Sequence, residues 1–148
     1  MTVTGLEAFD STVQKTNLWL KDIMLELNTD DRHRAMLALR AVLHTMRDRL
    51  MLSEAVELGA QLPLLVRGIY FEGWHPAKKQ LKERHKDQFF AHVAHYFRNE
   101  PDVDSEKVVR AVFKVLAQRI SEGEIEDVKH LLPVELRELW PEPAVAAG

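Results

Sequence analysis

Residues 39–70 read LRAVLHTMRDRLMLSEAVELGAQLPLLVRGIY, and residues 109–140 read VRAVFKVLAQRISEGEIEDVKHLLPVELRELW. The two stretches align without a gap at an offset of 70. Eight of the 32 positions are identical: Arg40/Arg110, Ala41/Ala111, Val42/Val112, Arg49/Arg119, Glu54/Glu124, Leu62/Leu132, Pro63/Pro133 and Arg67/Arg137. Others change like for like, as in Leu50/Ile120, Ile69/Leu139 and Tyr70/Trp140. Two unrelated amphipathic helices would share apolar positions through periodicity alone. They would not share a proline, a glutamate and three arginines in one register, so the stretches read as two copies of one unit.

The offset extends upstream. Trp19, Leu20, Ile23 and Leu27 fall on Phe89, Phe90, Val93 and Phe97, with the helical spacing i, i+1, i+4, i+8. Each copy therefore opens with a long amphipathic helix. The first is predicted from about residue 5 to 28, with Thr4 and Glu7 as a capping box, and Asn28-Thr29-Asp30-Asp31 as stop and restart. Met36, Leu39, Val42, Leu43, Met46 and Leu50 mark a second helix. Ser53 is expected to cap a short third, and Pro63 suits the first turn of a fourth, where its missing N–H costs nothing.

The segment Glu72-Gly73-Trp74-His75-Pro76 reads as the linker. The second copy then predicts a helix over about 77–98, a turn at Asn99-Glu100-Pro101 and a helix over about 104–120. A short helix follows behind the capping box Ser121–Glu124, and a last one runs from Pro133 to near Trp140. Apolar residues never alternate with period two for more than a few positions. The fold class is all-α: about eight helices from two tandem four-helix repeats (about 5–71 and 77–140) related by a pseudo-two-fold in one domain. The Pro-rich tail, 141–148, is expected to be disordered.

Composition narrows the function classes. A formal net charge of −3 argues against a chain whose main task is gripping nucleic acid or an anionic membrane. The absence of cysteine excludes disulfides, thiolate metal sites and cysteine nucleophiles, and suits a reducing compartment. The start, MTVTGLEAFDST, lacks the apolar run of a secretory signal, and no stretch approaches the ~20 apolar residues that span a bilayer. A cytoplasmic protein without a membrane partner is expected.

The stretch LPLLVRGIYFEGWHP, joined to the duplicated RAV…R…E…LP…R pattern, resembles a bacterial family known as domain of unknown function 2267. Leu62-Pro63, Arg67-Gly68, Tyr70 and Glu72-Gly73-Trp74 carry the first half of the resemblance. Glu124-Ile125-Glu126-Asp127-Val128, Leu132-Pro133 and Leu139-Trp140-Pro141 carry the second. It covers roughly residues 9–141. The resemblance implies a duplicated, all-helical protein common in actinobacteria, and no established activity, cofactor or catalytic residue.

Four groups of side chains are candidates for a site. The recurring Arg40, Arg49, Glu54, Arg67, Arg110, Arg119, Glu124 and Arg137 suggest interhelical locks in which arginine forks hold Glu54 and Glu124. The functional alternative is that the arginines converge on an anion. His85, His92 and His95, predicted on one helix, are the weak alternative for a metal; solvated histidines are the ordinary reading. Lys78, Lys79, Lys82, Arg84 and Lys86 lie in a stretch, 77–98, with six Lys/Arg and two Asp/Glu, against six and eleven in 99–148. That contrast offers a phosphate-tracking face or, more simply, a solvated helix face. Tyr70, Trp74 and Trp140 are core plugs or partner hot spots, with Trp74 favoured as a plug anchoring the linker.

No glycine-rich phosphate loop, G-x-S-x-G, H-E-x-x-H or dinucleotide fingerprint occurs. The reading that follows is a non-enzymatic module, without a cofactor, that binds another protein or itself. A groove between the copies would take an amphipathic helix. The alternatives are a nucleic-acid-associated regulator using 78–86, or a helical protein that binds a small ligand or metal.

Overall fold

The structure, a computed structural model, describes residues 4–78 and 80–142. Residues 143–148 of the tail, expected to be disordered, lie outside the described residues, as does Lys79. The described residues form eight α-helices and no strand: α1 Glu7–Leu27, α2 Arg32–Arg47, α3 Leu52–Ala60, α4 Leu64–Phe71, α5 Lys86–Tyr96, α6 Ser105–Arg119, α7 Glu122–Leu131 and α8 Val134–Arg137.

Apolar spacing decides what each helix buries. On α1, Thr16, Trp19, Leu20 and Ile23 repeat at i, i+3, i+4, i+7 and face the core. On α2 and α6 the apolar residues run almost all round, as in Ala41-Val42-Leu43 and Ala111-Val112-Phe113, so these two are the central helices. They pack on each other. α1 lies on α2, α4 and α6, while α5 lies on α2 and α6. α3 packs on α4 and α7, and α7 also meets α6 and α8. One continuous core draws side chains from every helix, with Tyr70, Phe89, Phe113, Leu116 and Leu136 fully covered. α2 against α6 forms the middle of this core.

The helix ends follow local chemistry. Asn28 takes a left-handed conformation (φ 53°, ψ 51°) that its short amide tolerates, and the Thr29 N–H closes the end on the Met24 carbonyl at 3.0 Å. Asp31 then accepts from the Arg34 N–H at 3.2 Å, and Asp104 accepts from those of Glu106 and Lys107 at 3.0 and 3.3 Å.

Several boundaries differ from the sequence reading. The box at Thr4 does not form. Asp10 draws both the Thr4 N–H and its hydroxyl to one oxygen, each at 2.9 Å, and α1 starts two residues later. α3 begins behind Met51 rather than Ser53, because the Glu54 carboxylate reaches back to the Met51 N–H at 3.2 Å. Pro63 stands just before α4 rather than in its first turn. α8 stops at Arg137, although Leu139 and Trp140 beyond it are buried.

The largest difference is at residues 77, 78 and 80–85, which are not helical. The Leu81 N–H donates to the Asp48 carbonyl at 2.9 Å and the Gln80 amide binds the Arg49 carbonyl. This stretch satisfies the end of α2 instead of its own backbone, so tertiary partners outweigh its helix propensity.

Candidate functional site

Part of the recurring set gathers around two Leu-Pro turns, one between α3 and α4 with Leu62, Pro63, Arg67 and Arg119, and one between α7 and α8 with Leu132, Pro133, Arg137 and Arg49. Pro63 has φ −56° and ψ 151°, and Pro133 has φ −55° and ψ 152°. Leu62 and Leu132, just before them, are buried. Arg67 donates through Nε to the Gly59 carbonyl (3.0 Å) and through Nη2 to those of Ala60 (3.4 Å) and Leu62 (3.0 Å). Arg137 donates through Nε to the carbonyls of Lys129 (2.8 Å) and Leu132 (3.0 Å) and through Nη2 to that of His130 (3.0 Å). Each arginine thus straps the carbonyls that a helix C-terminus leaves unpaired, where a cation also suits the dipole.

A cavity flanks each turn. That at Pro63 has a volume of 510 Å³ and is lined by Lys15, Trp19, Leu64, Arg67 and, from the other half of the chain, Arg119. That at Pro133 has 650 Å³ and is lined by Arg49, Glu83, Arg84, Val134, Glu135 and Arg137. Arg119 holds Asp22 through Nε at 2.9 Å and Nη2 at 2.6 Å. Arg49, 3% exposed, donates to the Thr45 carbonyl at 2.7 Å and to Glu83 at 2.6 Å, and lies over the Phe89 ring at 5.0 Å. Burial pulls the Arg49 pKa down, against the pull of Glu83. The bond from His92 and the charge of Arg49 hold the Glu83 carboxyl below the usual range.

The expected arginine–glutamate locks are not made. Glu54 caps its own helix and pairs with no arginine among the described residues. Glu124 is half-buried with no cation partner there, and desolvation, Asp127 and Glu57 push its pKa up. The arginines find carbonyls or other acids: Arg40 lies 3.1 Å from Glu72, and Arg110 takes Glu106 at 3.1 Å and the Glu138 carbonyl at 3.3 Å.

The histidine stripe is divided. His85 stands ahead of α5 and binds Glu135 at 2.6 Å, whereas His92 on α5 binds Glu83 at 3.2 Å. His95 is in the last turn of α5. No group of three or more metal-ligating side chains converges among the described residues. Lys78, Lys82 and Arg84 are exposed on the extended stretch, not on a helix face, and half-buried Lys86 starts α5.

The aromatic residues have packing roles. Tyr70 is buried and its hydroxyl donates to the Ala55 carbonyl at 2.7 Å. Trp140 stacks on Phe113 at 4.1 Å, its indole N–H buried without an acceptor among the described residues. Trp74 is half-buried against Phe71 at 5.3 Å.

Sequence reasoning missed two buried polar struts. His44 Nε2 lies 2.6 Å from the Ile69 carbonyl and Nδ1 lies 3.1 Å from the Tyr96 hydroxyl, and burial lowers its pKa. Arg47 donates to the Tyr70 and Glu72 carbonyls at 2.8 and 3.0 Å. Their signal was present: two polar residues three apart on a helix whose remaining stripe is apolar.

Outside the cavities, apolar side chains collect where α1 meets the start of α4. The Leu65 N–H donates to the Thr12 hydroxyl at 2.9 Å. Around that bond Phe9 is 49% exposed, Val13 39%, Leu64 56% and Leu65 43%. Among the described residues no helix is long and apolar enough to cross a membrane.

Comparison with curated proteins finds no match. A family model described as an uncharacterized conserved protein matches residues 16–139, which include both turns. The chain therefore belongs to the DUF2267 family.

Proposed function

We propose that this chain is an internally duplicated, non-enzymatic helical module that binds another protein through the outer surface of α1 and α4. The observation that carries the reading is the cluster of Phe9, Val13, Leu64 and Leu65 around the Thr12–Leu65 hydrogen bond. Single exposed leucines are ordinary on a protein surface; four large apolar residues gathered at one helix junction mark an interaction face.

The duplication supports the idea of a scaffold. Pairing α1 with α5, α2 with α6, α3 with α7 and α4 with α8 exchanges the packing of α1 on α6 with that of α5 on α2. It also leaves α2 on α6 and α3 on α7 unchanged. A pseudo-two-fold between tandem repeats has this property. The copies differ at the proposed face: α1 has 21 residues and α5 has 11, and Leu65 becomes Glu135. One copy thus carries the apolar strip while the other carries charge. The lack of cysteine suits a cytoplasmic setting.

The test is a paired variant, Phe9→Asp with Leu65→Asp. Both side chains are already close to half exposed, so melting temperature should fall little. A protein that co-purifies with the wild type should be lost from the variant. Light scattering on both proteins shows whether that partner is a second copy. Equal recovery with both proteins, or no associated protein and no self-association, would overturn the reading.

A further inference from the structure

We infer that the cavity at the first Leu-Pro turn is a binding site for an oxyanion, a phosphate or carboxylate group carried on a small apolar body. Three cations line it, Lys15, Arg67 and Arg119, and its lining includes no carboxylate. Asp22 pairs with Arg119 at 2.6 Å, which leaves Lys15 and Arg67 without a carboxylate partner among the described residues.

Arg67 is prepared for the task. Its Nε and Nη2 are tied to three carbonyls, which fixes the guanidinium plane, and Nη1 has no protein acceptor among the described residues. Arg119 is held likewise, with Nε and Nη2 on Asp22 and Nη1 without an acceptor there. A guanidinium already immobilised loses little further freedom when an anion arrives. Leu64 and Pro63 supply an apolar wall, and 510 Å³ is the size of a small-ligand pocket.

The matching cavity at the second turn indicates what this architecture accepts. There the chain's own Glu83 carboxylate sits on Arg49 at 2.6 Å, brought in by the extended stretch before α5. In the first cavity α1 supplies Asp22 to Arg119, and Lys15 and Arg67 have no carboxylate partner among the described residues, so a further anion would come from outside.

The experiment is calorimetric titration of the whole protein with phenyl phosphate, and separately with inorganic phosphate and benzoate. The first against the second weighs the apolar wall, and the first against the third separates phosphate from carboxylate. We expect saturable, single-site binding of phenyl phosphate or benzoate. Lys15→Ala should weaken it about three- to tenfold, the worth of one partly screened charge. Lys21→Ala, an exposed lysine on the same helix, should leave it unchanged. Lys15 makes no structural bond, so both variants fold. No saturable binding of any probe, or equal affinities in the Lys15→Ala and wild-type proteins, would overturn the inference.

Discussion

Arg67 and Arg137 make the same strap 70 residues apart: each guanidinium reaches back to the carbonyls that end the preceding helix, at positions 59, 60 and 62 in one case and 129, 130 and 132 in the other. A charged donor bound to several carbonyls contributes more than one neutral hydrogen bond. Arg67→Ala should destabilise by about 1–2 kcal/mol, and Arg137→Ala, which is more exposed, by somewhat less. Arg67→Lys should recover only part of the loss, because an ammonium cannot reproduce the planar fork. Urea denaturation of the variants measures this.

Glu83 neutralises the buried Arg49. Glu83→Ala leaves that cation unpaired and should cost about 1–3 kcal/mol, moderated because Glu83 is partly exposed and screened. The folded protein holds Glu83 below its ordinary pKa. Its contribution is therefore complete above the unfolded carboxylate value and is lost as pH falls through the lower, folded one. Unfolding free energies of wild type and Glu83→Gln should converge on acidification; a constant gap across the acid range would refute the pairing.

His44 behaves in the same direction at higher pH. Burial lowers its pKa, so the folded protein binds fewer protons than the unfolded chain below the ordinary histidine value of about 6.5. Its stabilisation is complete above that value and diminishes as pH falls beneath it. His44→Gln should be less stable at about pH 8 and should lose less stability between there and about pH 5. Chemical denaturation at the two pH values checks both statements.

Gly59 faces the Phe71 ring. A Cβ there would meet ring atoms of Phe71 at 2.6 and 2.8 Å, closer than real contacts allow. Gly59→Ala should destabilise by about 1–2 kcal/mol as that ring is displaced. The residue 70 positions after Gly59 is Lys129, and that 70 positions after Phe71 is Pro141. The glycine goes with the phenylalanine, and Phe71→Leu should relieve part of the cost.

Much of the fold was legible in the residues. The helical spacing of Trp19, Leu20 and Ile23 and of Phe89 and Val93 placed the core faces, and Ser121, read as the start of a capping box, accepts from the Glu124 N–H at 3.4 Å. The stretch before Lys86 misled because its lysines and leucine suit a helix in isolation, whereas in the fold Gln80 and Leu81 donate to the Arg49 and Asp48 carbonyls at the end of α2. The candidate site was half legible. Repetition singled out Arg49, Arg67, Arg119 and Arg137, but the expected glutamate partners were wrong. Sequence identity cannot show that an arginine has turned to backbone carbonyls, which every residue possesses. The exposed strip at Phe9 and Val13 continues the spacing of Leu20 and Ile23, so the pattern alone does not separate it from the core; what differs is that no helix among the described residues covers it.

The central claim is that this strip binds a partner protein. A photo-reactive amino acid placed at Val13, and separately at Lys21 on the same helix, tests it in living cells of the source organism. The account predicts a discrete protein adduct from position 13, this chain's own copy included, and none from position 21. No adduct from position 13, or the same adducts from both, would contradict it.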